Sequence, residues 1–301
     1  MIVVFGSINI DLVSRVERIP GPGETVLGPS YAVIPGGKGA NQALAARRAG
    51  GRVAMVGAVG DDSFADVALA LLRADGVDLS GVARVATPTG AAFISVDARA
   101  QNAIVVAAGA NAEAKAAQLA SLAFGRADTL LLQREVPDIE GEAATHAARA
   151  RGARVILNLA PAGAIPESWL RAIDVLVMNE HESQAISDTF ALGHSEPRDI
   201  ARAVDARFGV ASIVTLGARG ALAWKSGVAC EIAAPRVAVV DTTAAGDAFV
   251  GAFAAALDRG ADWSRALTEG VIAGSLACTR RGAQPSVPSL AEISAAHEMS
   301  R

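Results

Sequence analysis

Short apolar runs alternate with Ala-rich stretches along most of this chain. Ile2 to Gly6, Arg52 to Val59, Thr129 to Gln133, Arg154 to Leu159, Asp174 to Met178 and Ile213 to Leu216 are short, apolar and rich in β-favouring residues, which predicts strands. Phe64 to Ala74, Ala114 to Ala123, Ile139 to Ala150 and Ile200 to Phe208 lie between such runs and predict helices. That alternation predicts an α/β fold with a mainly parallel central sheet sandwiched between helices. Ligands then gather beyond the carboxyl ends of the strands. Polar residues do stand there: Asn9 and Asp11 after the first strand, Glu135 after Thr129 to Gln133, Asn179 after Asp174 to Met178, and Gly217 after Ile213 to Leu216. Two segments, Leu12 to Pro35 and Gly90 to Ala108, break the alternation, because β-favouring residues recur in them without a helix between.

The most informative run is Asp241-Thr242-Thr243-Ala244-Ala245-Gly246-Asp247-Ala248-Phe249. Val237 to Val240 precedes it as a short β-branched run and an Ala-rich apolar stretch follows, so the order predicted is strand, tight turn, helix. The first N–H groups of such a helix have no intrahelical acceptor and sit at the positive end of its dipole. Ala244, Ala245, Gly246 and Asp247 then make an anion hole suited to a transferring phosphoryl group. Asp247 beside it is placed to accept the proton of an attacking hydroxyl. An acidic residue in a first turn is favoured by the dipole alone, so Asp247 gains weight only together with a second segment. Pro35-Gly36-Gly37-Lys38-Gly39-Ala40-Asn41-Gln42-Ala43 is that segment. Its glycines let backbone N–H groups and a lysine approach a polar ligand, and Asn41 is read as helping to cap the helix that follows. It lacks the Gly-Lys-Ser/Thr ending of a P-loop, and no Gly-x-Gly-x-x-Gly follows the first strand.

Composition narrows the classes. At 301 residues, 51% of them hydrophobic, the chain can bury a large core, and an α/β fold of this length fits one domain spanning residues 1–301. A net charge of −4 gives no basic footprint for nucleic acid. Cys230 and Cys278 stand far apart without a cysteine or histidine at metal-ligand spacing, so neither a disulfide framework nor a zinc site is predicted. No apolar stretch reaches the ~20 residues that span a bilayer. The opening Ile2 to Phe5 is too short for a signal peptide, and a cytoplasmic location is expected.

The Gly36 to Ala43 and Asp241 to Phe249 runs resemble the two signature segments of the ribokinase-like sugar kinases, the PfkB family. Further segments agree with it in order: Gly6 to Asp11, Pro22-Gly23-Glu24-Thr25, Gly109-Ala110-Asn111, Asn158-Leu159-Ala160-Pro161, Asn179-Glu180-His181-Glu182, Thr215-Leu216-Gly217 and the tail Thr279 to Pro288. The resemblance covers nearly the whole chain. It implies a three-layer α/β/α ribokinase-like fold in which residues 12–35 and 90–108 form a small β-sheet lid, through which relatives often pair as homodimers. It implies transfer of the γ-phosphate of ATP to the 5-hydroxyl of D-ribose, with Asp247 as general base. On the sugar side it assigns Asn9 and Asp11 to the secondary hydroxyls, helped by Gly37, Lys38, Gly39 and Asn41, and Glu135 to the region of the anomeric hydroxyl. Arg134 beside Glu135 offers a competing role, as a simple ion-pair partner.

On the nucleotide side the resemblance assigns Asn179 and Glu182 to the water shell of Mg²⁺, and Thr215, Gly217, Ala218, Arg219 and Gly220 to the ATP groove. The acidic first turn of a helix is the competing reading for Glu182, and His181 is expected on the surface. The tail implies a K⁺ site using Asp241 and Ser286 side chains with the carbonyls of Thr243, Ala277, Arg280 and Gly282. Departures from the family pattern are Ala244 for a usual Gly, Val250 for Asn, Leu159 for Pro, Val271 for a polar residue near the adenine, and Ile10, Phe93 and Ser95 in the lid. Two alternatives stay open. One is the same fold with another acceptor, a nucleoside, fructose or deoxyribose; the other is a catalytically silent sugar-binding protein.

Overall fold

The computed structural model describes residues 1–99 and 101–299; residue 100 of the expected 90–108 segment, and residues 300 and 301, lie outside the described residues. In chain order the first half contains β1 (Ile2–Phe5), β2 (Asn9–Arg15), β3 (Tyr31–Gly36), α1 (Lys38–Arg48), β4 (Val53–Gly60), α2 (Ser63–Ala74), β5 (Asp78–Val85), β6 (Gly90–Val96) and β7 (Asn102–Ala107). Next come β8 (Thr129–Leu132), α3 (Asp138–Ala150), β9 (Arg154–Asn158), α4 (Glu167–Ala172), β10 (Val175–Asn179), α5 (Glu180–Thr189) and α6 (Pro197–Phe208). The last part holds β11 (Ala211–Thr215), β12 (Ala221–Lys225), β13 (Val228–Ile232), α7 (Ala245–Asp258), α8 (Trp263–Ala277) and α9 (Leu290–Met299).

The central sheet runs β13-β12-β11-β10-β9-β8-β1-β4-β5. Its strands pair in parallel from β11 to β5, and only β12 and β13 join antiparallel. Strands covered on both faces read as continuous apolar runs rather than alternating ones. β1 shows why: Ile2 and Val4 pack into the core shared with α1, α2, α7 and α8, whereas Val3 and Phe5 pack into the opposite core with α3, α4 and α6. Each such side chain contributes about 1.5–3 kcal/mol when fully removed from water, so both faces must be covered for the sheet to persist. This is the α/β/α sandwich the sequence predicts.

A second sheet, β3-β2-β6-β7, accounts for the two segments that break the alternation. β2 begins at Asn9, earlier than the expected Leu12, so it leaves the end of β1 almost directly and carries Asn9 and Asp11 with it. Its register sets Asn9 opposite Gly36 and Gly90.

Three predicted elements differ. Val237 to Val240 forms no strand: the ladder ends at Ile232, Val239 and Val240 are exposed, and the N–H groups of Val240 and Asp241 donate to the carbonyl of Cys278 at 2.8 and 3.2 Å. Ala114 to Ala123 forms no α-helix but a 3₁₀ turn, Ala116–Ser121, after another at Gly109–Glu113. There Gln118 Nε2 donates to the carbonyls of Gly57 and Gly81, at 2.8 and 2.9 Å, which ties the segment to β4 and β5 instead of letting it coil freely. The helix after the glycine run starts at Lys38 with Gly37 as its cap, not Asn41.

α1 and α7 pack directly against each other, with Gly251 at the contact. A Cβ on Gly251 of α7 would fall 2.5 Å from Ala45 Cβ and 2.6 Å from the Gln42 carbonyl, both on α1. Gly251→Ala therefore forces the helices apart. The overpacking cost of ~1–3 kcal/mol outweighs the gain in helix propensity, roughly 1 kcal/mol. Denaturant titration of Gly251→Ala is expected to show about 1–2 kcal/mol of lost stability.

Candidate active site

The carboxyl ends of β1, β8, β9, β10 and β11 face the start of α7. A cavity of about 240 Å³ there is lined by Lys38, Asn158, Asn179, Glu182, Thr215, Thr242, Ala244, Ala245, Gly246 and Asp247 among others. A larger groove of about 590 Å³ lies at the opposite ends of the strands, against Arg154, Asp174, Val175 and Trp263, and shares no residue with this cluster.

Asp247 is the best-buried ionisable group of the site, 6% exposed. Asn41 Nδ2 donates to its Oδ2 at 2.9 Å and Gln42 Nε2 donates to its Oδ1 at 2.9 Å. Burial raises its pKa above the ordinary carboxylate value, and Lys38 together with these two amides pulls the other way. Two amide donors leave a carboxylate with acceptor capacity to spare for a hydroxyl. Asn41, expected on the sugar side, also holds Asp247, and Gly37 rather than Asn41 is the cap of α1.

The turn before α7 carries the residues expected to form an anion hole. Ala244 adopts the left-handed conformation at φ 59°, where a glycine is favoured, which is the physical content of the Ala-for-Gly departure. Ala245 N–H turns back on the Thr242 carbonyl at 3.3 Å. The N–H groups of Gly246 and Asp247 take no backbone acceptor among the described residues, so they carry the donor role.

The glycine run supplies less backbone than expected. Lys38 N–H donates to Glu135 Oε2 at 3.0 Å, and Gly39 N–H to Ser7 Oγ at 3.2 Å. Ser7 Oγ donates in turn to Glu135 Oε2 at 2.6 Å, so Glu135 is aimed by two donors. Arg134 pairs with Asp138 at 2.6 Å, which removes it as the competitor for Glu135. Lys38 Nζ lies 4.0 Å from Glu135 Oε1. Asp11, half-buried, is pushed up to about 6 by burial and by the charges of Glu135 and Asp247, against Lys38. Asn9 is buried, and its Oδ1 accepts from Asn111 Nδ2 at 2.6 Å.

Asn179 and Glu182 form a capping box on α5, with Glu182 N–H to Asn179 Oδ1 and Asn179 N–H to Glu182 Oε2, both 2.8 Å. The helix-start reading is thus correct in geometry, yet both residues also line the cavity. Burial raises the Glu182 pKa. Four carboxylates, Asp11, Glu135, Glu182 and Asp247, act on a single lysine, and Lys38 is held above its ordinary pKa chiefly by Asp247. Such an excess of negative charge suits hydroxyl donors and cations.

Thr215 lines the cavity and donates to the Met178 carbonyl at 3.3 Å, while Gly217, Ala218 and Arg219 form an exposed turn outside its wall that ends at Gly220. Arg219 pairs with Glu180, and His181 is exposed as expected. Val271 packs in the core beside α7. Asp241 Oδ1 accepts from Thr243 N–H at 2.9 Å and Oδ2 from Gly282 N–H at 2.9 Å, joining the 241–243 turn to the tail. Against burial, the Thr243 hydroxyl, which donates to Oδ1 at 2.6 Å, and these two N–H groups hold the Asp241 pKa below its ordinary value. Ala277 ends α8 next to Cys278, Arg280 pairs with Glu292, and Ser286 Oγ donates to the Ala283 carbonyl at 2.8 Å.

Sequence reasoning missed Ser7, Gln42, Asn111, Gln133 and Asn158, all buried and all bonded to the site or to its neighbours. Ser7, Gln42, Asn111 and Asn158 stand inside the recognised segments, so the signal was their place beside assigned residues.

The chain matches the pfkB family carbohydrate kinase pattern over residues 1–290. Ribokinase from Haemophilus influenzae is 34% identical over 294 residues, spanning 97% of this chain and 96% of that protein. Ribokinase from Thermotoga maritima has a similar structure, with a TM-score of 0.90 and 36% identity over 99% of both chains. Ribokinase from Arabidopsis thaliana, solved in complex with ribose and ATP, gives a TM-score of 0.87 at 31% identity, covering 98% of this chain and 97% of that one. Fold, site and full-length similarity agree: the chain belongs to the pfkB family of carbohydrate kinases.

Proposed function

We propose that this protein phosphorylates D-ribose at its 5-hydroxyl with ATP, giving D-ribose 5-phosphate and ADP. The observation that carries the reading is Asp247: a buried carboxylate at the start of α7, held by two amides, in the same cavity wall as Lys38, Asn179, Glu182 and Thr215. Asp247 accepts the proton of the 5-hydroxyl as its oxygen attacks the γ-phosphorus, the bond from that phosphorus to the β,γ-bridging oxygen breaks, and ADP leaves. The N–H groups of Gly246 and Asp247 meet the transferring oxygens, with Ala244 and Ala245 shaping the turn. Lys38 balances the charge. Asn9 and Asp11 take the secondary hydroxyls, and Glu135, aimed by Ser7, takes the anomeric hydroxyl that a nucleoside lacks. Positioning and electrostatics supply most of the rate.

Both metal assignments are compatible with the donor sets. Among the described residues no cluster of three or more His, Cys, Asp or Glu is arranged to hold a metal, and Mg²⁺ commonly keeps several waters and takes few protein ligands besides substrate phosphates. Glu182 and Asn179 would orient those waters, and the ion would neutralise phosphate charge. Asp241 with Ser286 and the carbonyls of Thr243, Ala277, Arg280 and Gly282 would hold K⁺, a set of one carboxylate and neutral oxygens suited to a monovalent ion. Its effect would be to stiffen the turn that carries the anion hole.

The second sheet serves as the lid, and as the surface through which two copies pair. β7 is an edge strand exposed along all six residues, including Ile104, Val105 and Val106, and Tyr31 and Phe93 add to the uncovered apolar area. Among the described residues no helix is long and apolar enough to cross a membrane.

Two measurements test these roles. Asp247→Asn keeps size and polarity but cannot take the proton, so kcat is expected to fall ~10²-fold or more while calorimetric ribose affinity stays near wild type; near-normal turnover contradicts the base assignment. Asp11 has a raised pKa of about 6, so its carboxylate gains a proton, and loses acceptor capacity, as pH falls through that value. The KM for ribose is therefore expected to rise below about pH 6, and this limb is expected to vanish in Asp11→Asn, whose KM is high throughout.

A further inference from the structure

Asp247 is only one end of a buried chain of side-chain amides. Gln42 sits on the inward face of α1, fully buried, and its Nε2 donates twice, to Asp247 Oδ1 at 2.9 Å and to Asn158 Oδ1 at 3.0 Å. Its Oε1 accepts from Gln133 Nε2 at 2.7 Å. Asn158 Nδ2 donates onward to the Val177 carbonyl at 3.2 Å. Gln133 follows β8, Asn158 ends β9 and Val177 lies in β10, so the amide that touches Asp247 is fixed to three adjacent strands of the central sheet. Both N–H donors of Gln42 are used and its oxygen is occupied, which leaves one orientation of the amide that satisfies all three partners.

We propose that Gln42 is a positioning residue for phosphoryl transfer: it fixes the plane of the Asp247 carboxylate, so that a free lone pair meets the incoming hydroxyl. The inference rests on the reading of Asp247 as general base. A carboxylate at a helix start can turn about its Cβ–Cγ bond. Asn41 and Gln42, consecutive on α1, grip one oxygen each and stop that rotation. Asn41 lies closer to solvent than Gln42, at 6% against 0% exposure, and its Oδ1 is buried without a partner among the described residues. The firmly anchored half of the grip is Gln42. The other charged groups around Asp247 are Lys38 from α1, Glu135 from the loop after β8, Glu182 from α5 and Asp11 from β2. Lys38 sets charge but, among the described residues, makes no hydrogen bond to Asp247, so it does not set the carboxylate plane.

The test is a double-mutant cycle. Gln42→Met keeps volume and removes the donors, and its kcat is expected to fall roughly 10- to 100-fold, as for a small misplacement of a reacting group, with ribose affinity by calorimetry nearly unchanged. Placed in the Asp247→Asn background, the same substitution is expected to add no further loss of kcat, because residues acting as one unit are non-additive. Losses that multiply, or Gln42→Met with wild-type kcat, overturn the inference. Should Gln42→Met not fold, Gln133→Met leaves Gln42 in place and removes the donor that orients it. The same non-additivity is expected there at smaller amplitude, and additivity again overturns the proposal. If Asp247→Asn itself turns over normally, the base assignment fails and the role given to Gln42 falls with it, whereas additive losses on a slow Asp247→Asn overturn the role of Gln42 alone.

Discussion

Burying the carboxylate of Asp247 is the constraint on which the rest of the site depends. An ionised group removed from water is costly unless donors replace its hydration. Here the replacement comes from neighbouring amides on α1, and it works only because α1 and α7 pack closely enough for Asn41 and Gln42 to reach across. Gly251 permits that approach. Gly39 permits a second one, since a Cβ there would lie 2.6 Å from the Ser7 nitrogen at the end of β1. The glycine run serves backbone proximity as well: its Lys38 and Gly39 N–H groups are committed to Glu135 and Ser7.

The site is also electrostatically unbalanced. Asp11, Glu135, Glu182 and Asp247 surround one lysine, and burial together with mutual repulsion raises Asp11 while Lys38 is stabilised as a cation. Under the proposed roles, hydroxyl donors would satisfy the carboxylates of Asp11 and Glu135, and a divalent ion would answer Glu182. In the same proposal the Gly246 and Asp247 N–H groups at the helix start would offset the repulsion between this acidic cluster and a triphosphate.

Much of this was legible in the sequence. Strands buried on both faces show as unbroken apolar runs, so β1, β4, β8, β9 and β10 stood out, and the two segments lacking helices did form the second sheet. β5, β12 and β13 were not singled out: β5 and β13 are the partly exposed edges of the sheet, and β12 is a short antiparallel strand beside one of them. Val237 to Val240 failed because β-branched composition does not supply a pairing partner, and Ala114 to Ala123 failed because helix propensity yielded to a long-range side-chain bond from Gln118. Site residues at strand ends were legible as types in a place. Gln42, Gln133 and Asn158 were not, since a buried amide has no periodic signature and its meaning depends on which strands become neighbours.

Coupled ADP release across D-ribose, deoxyribose, fructose, adenosine and inosine, each with Mg²⁺ and with either K⁺ or Na⁺, tests the central claim most directly. The account predicts the fastest turnover on ribose, and higher turnover in K⁺ than in Na⁺. A preference for a nucleoside would leave the fold and Asp247 in place but contradict the role given to Glu135, and the lack of sugar-dependent ADP release from any acceptor would contradict the assignment as a ribose kinase altogether.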